Sequence, residues 1–191
     1  NAWSPYWFGI SPSSGNNDLT VYSDDNTKWG GEFGANPEAG FYYSQQNPLI
    51  SIDVDTWFHI LLTCDASTED LTYYVDNQSI GTMSAGLDAS HSGEDFWIGT
   101  AKNQGTSVAS EAIYDDFAIW GQVLDSTEIA SLYNGAAAST IPTDLVAYYD
   151  FEQEASTTLP NQTTVTGTVD LANPDAWVSG GIDGAAFDTQ E

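Results

Sequence analysis

Ile113–Gly135, IYDDFAIWGQVLDSTEIASLYNG, reads as a strand that runs into a short helix. The helix signals are complete. Asp125 stands at the N-cap, and Glu128, three residues on, completes a capping box. Ile129, Leu132 and Tyr133 fall on one apolar face, and Gly135 stops the helix. No other stretch carries a convincing helix. Outward from it, short β-prone runs alternate with turn residues: DLTVYSDD (18–25), GFYYSQQNPLISIDV (40–54, two strands broken at Asn47-Pro48), DFWIGTA (95–101) and EAIYDDFAIWG (111–121). TWFHILLTCDA (56–66) is apolar on both faces, as a central strand would be. DLTYYVDNQSIGTM (70–83) is the clearest hairpin, because Asp76-Asn77 tolerates the positive φ of a tight turn. Strands spaced this way predict an all-β sandwich.

The chain has 191 residues, 41% of them hydrophobic and 13% aromatic, enough for one sandwich-type core. It opens on Asn1 with no signal-peptide pattern, which marks a processed product or an excised piece. No apolar run is long enough to span a bilayer. The net charge is −26, from 28 acidic residues against two lysines, Lys28 and Lys102, and no arginine. Nucleic acid and anionic membranes are poor partners for such a chain, which has almost no cations to set against phosphate. A saline, calcium-containing exterior would screen or offset the charge. The single cysteine, Cys64, excludes an intrachain disulfide and is expected to be a small buried hydrophobe.

The segments DTWFHILLTCDASTEDLTYYVDNQSIGT, DFWIGTA and above all IYDDFAIWGQVLDSTEIASLYNG resemble the laminin-G-like branch of the concanavalin A-like lectin/glucanase family. DLVAYYDFE (144–152) and AWVSGGIDGAAFD (176–188) resemble that family's opening strands, yet they come last here. The resemblance implies a two-sheet antiparallel jelly-roll sandwich with one short capping helix. Residues 1–135 would form the main part without its opening strands. Residues 136–143 would be a linker, and 144–191 the opening strands. That tail would complete either its own sandwich, as a permutation, or that of a neighbouring module or subunit in a tandem array or homopolymer. A sandwich lacking its first strands exposes edges, and 48 residues are too few for a separate core.

Alternation places Asp115 on the face of Phe117 and Ile119, where an inward carboxylate needs a partner. With so few cations in the chain, a metal would serve, or backbone N–H groups at a strand end. The resemblance implies a structural Ca²⁺ held by Asp115 and Glu152, and hard oxygen donors suit that ion. Asp116 should point to solvent. Trp3, Trp57 and Trp177 correspond to family core aromatics. Trp29, in a glycine-rich loop, and Trp7 are the candidates for glycan stacking. Trp120 is expected to face outward, and His59 to be a satisfied core histidine. Asn77-Gln-Ser and Asn161-Gln-Thr are glycosylation sequons.

Catalysis is not expected. The Glu-x-Asp-x-x-Glu strand of laminarinase-type hydrolases does not occur, and no arginine is present to hold a substrate carboxylate. Two readings remain from different classes. One is an extracellular, calcium-stabilised carbohydrate-binding or adhesion module. The other is a structural repeat of a cell-surface fibre or giant adhesin, its filament assembled by strand exchange between copies.

Overall fold

In the computed structural model the chain divides into two units, residues 1–110 and 111–191. The structure describes residues 6–12, 19–24, 28–33, 40–41, 55–65, 67–68, 70–84, 94–99, 112–141, 144–152, 158–164, 168–170, 177–179 and 185–188. Every strand pair among them is antiparallel.

The first unit is organised by its hairpin. Asp76 and Asn77 adopt φ of 49° and 61°, the left-handed pair that a two-residue turn requires. They join β6 (Asp70–Val75) to β7 (Gln78–Ser84). Leu71, Tyr73 and Val75 alternate inward along β6, and Val75 is 0% exposed. β5 (Ile60–Asp65) completes a sheet of order β5-β6-β7. A second sheet has the order β4-β3-β2-β1-β8, from β1 (Tyr6–Pro12), β2 (Leu19–Asp24), β3 (Lys28–Phe33), β4 (Gly40–Phe41) and β8 (Glu94–Ile98). Phe8 of β1 packs on the cluster of Tyr73, Val75 and Ile80, together with Phe58, Ile60 and Leu62. Two sheets therefore share one apolar layer inside this unit.

The second unit contains β9 (Ile113–Tyr114), β10 (Phe117–Trp120), α1 (Ser126–Tyr133), β11 (Leu145–Tyr149), β12 (Thr158–Pro160), β13 (Thr168–Asp170), β14 (Trp177–Ser179) and β15 (Ala185–Asp188). β10 pairs with β11, β12 with β13, and β15 with both β14 and β9. Across the β10–β11 ladder the Phe117 and Tyr149 rings stack with centroids 6.4 Å apart. Gly121 follows β10 where the chain leaves no room. Its N–H donates to the Asp144 carbonyl at 2.7 Å, and a Cβ there would lie 2.6 Å from Asp144 Oδ2. The helix begins as read: Asp125 Oδ1 accepts from Thr127 and Glu128 N–H, and Glu128 Oε2 accepts from Asp125 N–H. Gly135, at φ 88°, ends it. Leu124, Ile129, Ala138, Ile141, Ala147, Tyr148, Phe151 and Leu159 are buried.

Several expectations are corrected. Tyr133 is 46% exposed, so the helix buries chiefly Ile129. Cys64 is exposed. It stands opposite Leu71 on the cluster's face of β5, but one residue from the strand's end, away from Tyr73 and Val75. Partial burial and Asp65 push its thiol pKa up. Among the described residues β5 stands at the end of its three-stranded sheet. Trp57 precedes β5 and is 41% exposed. Trp120 is half-buried rather than outward, with its indole N–H buried. Within the stretch expected as a linker, and without contradicting it, Ala138–Thr140 forms a 3-10 turn that buries Ala138 and Ile141. Trp3 lies outside the described residues, as does the side chain of Trp177.

Candidate functional site

The acidic end of the β10–β11 ribbon comes from register. Phe117 stands opposite Tyr149. The residues before β10, Asp115 and Asp116, therefore share an end of the ladder with those after β11, Asp150 and Glu152. The alternation assumed for Asp115 does not run through. β9 stops at Tyr114 and β10 starts at Phe117, and Asp116 between them has φ 49°. Asp115 is half-buried, and its Oδ1 accepts the Asp116 N–H at 3.1 Å. Asp116 is exposed, but it is more than a solvated carboxylate, since its Oδ1 accepts from the Tyr148 hydroxyl at 2.7 Å. Asp150 Oδ1 accepts from Gln162 Nε2 at 3.3 Å, and Glu152 is exposed. Among the described residues no three His, Cys, Asp or Glu side chains converge on one point that could hold a metal. The donors have the chemistry calcium prefers. A Ca²⁺ ion takes roughly six to eight oxygens, so Asp115 and Glu152 would need backbone carbonyls or water beside them.

The five-stranded sheet offers a different surface. Phe8 pairs with Val21 and Ile98, Ile10 with Leu19 and Phe96, Val21 with Gly31, and Leu19 with Phe33. These positions share a face, and it is the face Phe8 packs inward. Trp29 pairs with Ser23, in the same parity as Gly31, so its position belongs to that inner face. It also stands in β3 and not in a loop, because the glycines Gly30 and Gly31 continue the ladder to Tyr22 and Val21. The opposite face takes Gly9, Ser11, Thr20, Tyr22, Glu32, Asp95 and Trp97. Its positions mix small and polar residues with the aromatics Tyr22 and Trp97. Trp7 stands at the irregularity between Tyr6 and Phe8, next to Tyr6↔Tyr22. The side chains of Trp7, Tyr22, Trp29 and Trp97 lie outside the described residues. Tyr22 and Trp97 are positions the sequence reading passed over. Phe96-Trp97-Ile98 is apolar throughout, so no polar–apolar alternation marks Trp97; its pairing with Gly9 does.

The two sequons differ. Asn77 is exposed at the hairpin tip. Asn161 is half-buried, and its side-chain amide is engaged at both ends.

A laminin-G-type family model, described as the concanavalin A-like lectin/glucanases superfamily, matches residues 1–130. Among curated proteins no significant match is found. Among solved structures, a native heptameric SAP-like pentraxin from Limulus polyphemus is similar at 14% identity with a TM-score of 0.57, over 100% of this chain and 79% of that one. A Bacteroides ovatus protein described as a "putative carbohydrate binding protein" is similar at 15% identity with a TM-score of 0.49, over 90% of this chain and 55% of that one. The family match, with the pentraxin likeness in fold, establishes an all-β, two-sheet antiparallel jelly-roll of concanavalin A-like type with one short helix.

Proposed function

The chain belongs to the laminin-G-type family of the concanavalin A-like lectin/glucanase superfamily, and from that membership we propose that it is an extracellular, non-catalytic carbohydrate-binding module. The observation that carries the reading is the face of the five-stranded sheet opposite Phe8, where register puts the positions of Tyr22 and Trp97 among small and polar ones. Such a face pairs stacking groups with hydrogen-bonding ones, which is what a sugar ring needs. The superfamily name covers hydrolases as well as lectins. Binding is favoured because this sequence lacks the paired-carboxylate strand of laminarinase-type enzymes. No helix among the described residues is long and apolar enough to cross a membrane. The exterior location rests on the family and on the −26 charge.

A glycan array followed by calorimetry on the strongest hit tests this. Trp97→Ala is expected to weaken binding by about tenfold or more, equivalent to about 1.4 kcal/mol, with an unchanged melting temperature. Trp7→Ala, beside the same face, is the second binding variant. Trp29→Ala is expected to lower the melting temperature more than the affinity. An array without hits, or a Trp97→Ala variant that binds as the parent does, overturns the reading.

Two further parts of the proposal concern stability. Residues 144–191 act as opening strands that complete this chain's own sandwich. What supports it is β11 laid along β10 and β15 along β9. Calcium at Asp115 and Glu152 is supported by the family resemblance and by the hard oxygen donors of these two residues in a chain with two lysines and no arginine. Bound there, the ion would supply positive charge to the acidic end of the ribbon. EDTA is then expected to lower the melting temperature, and Asp115→Asn to abolish the response. A melting curve that EDTA does not move removes calcium from the account.

A further inference from the structure

β11 has two edges, and one of them is taken by β10. Residues 145, 147, 148 and 149 lie in that ladder, opposite Trp120, Ile119, Ala118 and Phe117. The Val146 carbonyl and the Tyr148 N–H and carbonyl make their bonds on the other edge. That edge is a row of donors and acceptors that any extended chain could join.

It is filled by something other than a strand. The Tyr148 N–H donates to Asn161 Oδ1 at 2.9 Å, and Asn161 Nδ2 donates to the Val146 carbonyl at 3.2 Å. One side-chain amide thus makes the two bonds that a single residue of a neighbouring parallel strand would make around Ala147. Gln162 N–H donates to the Tyr148 carbonyl at 2.8 Å, and Thr163 Oγ1 donates to the Val146 carbonyl at 3.0 Å. Asn161 is itself held, since its Oδ1 also accepts the Thr163 N–H at 3.1 Å. Val146 C=O, Tyr148 N–H and Tyr148 C=O are all engaged, within three consecutive residues. Pro160, just before them, ends β12 and cannot itself donate to a ladder.

We propose that Asn161–Thr163 is an edge guard: it occupies the outer backbone positions of β11 and so keeps an extended segment of a second copy of this chain from adding there. The occupant excluded is a second copy because the edge recognises backbone rather than side chains, and identical chains bring extended segments of their own at the protein's full concentration. The guard goes beyond the glycan reading and does not depend on it.

The test uses the full chain as wild type, Asn161→Ala and Thr163→Val. Thr163→Val keeps the shape of the side chain and deletes one hydrogen bond, so it is the variant that keeps its fold if Asn161→Ala does not. Sedimentation velocity is run over a wide concentration range, with hydrogen exchange read at the Tyr148 amide. The wild type is expected to stay monomeric with that amide protected. Asn161→Ala is expected to self-associate about tenfold or more tightly than wild type, with Tyr148 protection lost in dilute solution and regained as the concentration rises. Thr163→Val is expected to lie between. Folded variants, by circular dichroism, that remain as monomeric as the wild type overturn the proposal. So does a wild-type Tyr148 amide that exchanges as an open one.

Discussion

Phe151→Ala is expected to destabilise the chain by about 3–5 kcal/mol, the range for removing a large buried aromatic. The ring is 1% exposed, just beyond the end of β11, in a unit whose other fully buried side chain among the described residues is Leu159. Its backbone sits at φ 51°, a conformation that costs a side-chain-bearing residue about 1–2 kcal/mol. The chain tolerates that strain because it turns the ring inward while Asp150 and Glu152, on either side, are left at the ribbon's acidic end. Alanine keeps the strain and loses the burial. Phe151→Leu, which keeps most of the volume, should lose well under half as much. Urea denaturation, with the midpoint read at unchanged slope, measures both. A loss below about 1 kcal/mol for alanine would mean that Phe151 does not anchor this core.

Much of this architecture was legible in the residues. The Asp125–Glu128 capping box and Gly135 bounded the helix, and Asp76-Asn77 gave the hairpin, because both are local signals whose chemistry is complete within a few residues. The strand at Leu145–Tyr149 was equally readable. What escaped depended on partners far along the chain. Alternation through Tyr114–Phe117 put Asp115 inward, but alternation holds only while a strand continues, and Asp116 breaks it at φ 49°. Cys64 looked buried from its apolar neighbours. Only the register with Leu71 shows that it stands near the end of the ladder. Trp29 looked like a loop residue because two glycines follow it. Pairing with β2 shows that those glycines are strand positions and places Trp29 on the face of Phe8. The face bearing Tyr22 and Trp97, and the bonds from Asn161 to β11, are likewise products of pairing.

Asp76→Ala is the second large effect, expected to cost about 2–5 kcal/mol, and it separates two roles of one residue. Asp76 Oδ1 accepts the His59 N–H at 2.9 Å, and the Asp76 N–H returns a bond to the His59 carbonyl at 2.9 Å. The hairpin tip is thereby clamped to the residue that leads into β5. Alanine leaves a part-buried N–H without its acceptor, at about 1–3 kcal/mol, and puts an ordinary residue at φ 49°, at about 1–2 kcal/mol more. Asp76→Gly relieves only the second cost and should fall between alanine and wild type. Asp76→Asn keeps an acceptor and tolerates the left-handed backbone, so it should lie near wild type at neutral pH. Acid then distinguishes the charge. Burial lowers the His59 pKa below its ordinary 6.5, and Asp76 partly opposes that. The unfolded chain therefore binds the proton first. The contribution of neutral His59 is complete above about 6.5 and is lost as the pH falls toward the folded value. Removing the Asp76 charge lowers the folded value further. In Asp76→Asn the acid loss should start at the same pH, because the unfolded histidine sets that point, and continue to a lower one. Melting temperatures taken across the acid range would show the two curves parting below the ordinary histidine value, and curves that stay superimposed would show that Asp76 acts on His59 through its hydrogen bonds alone.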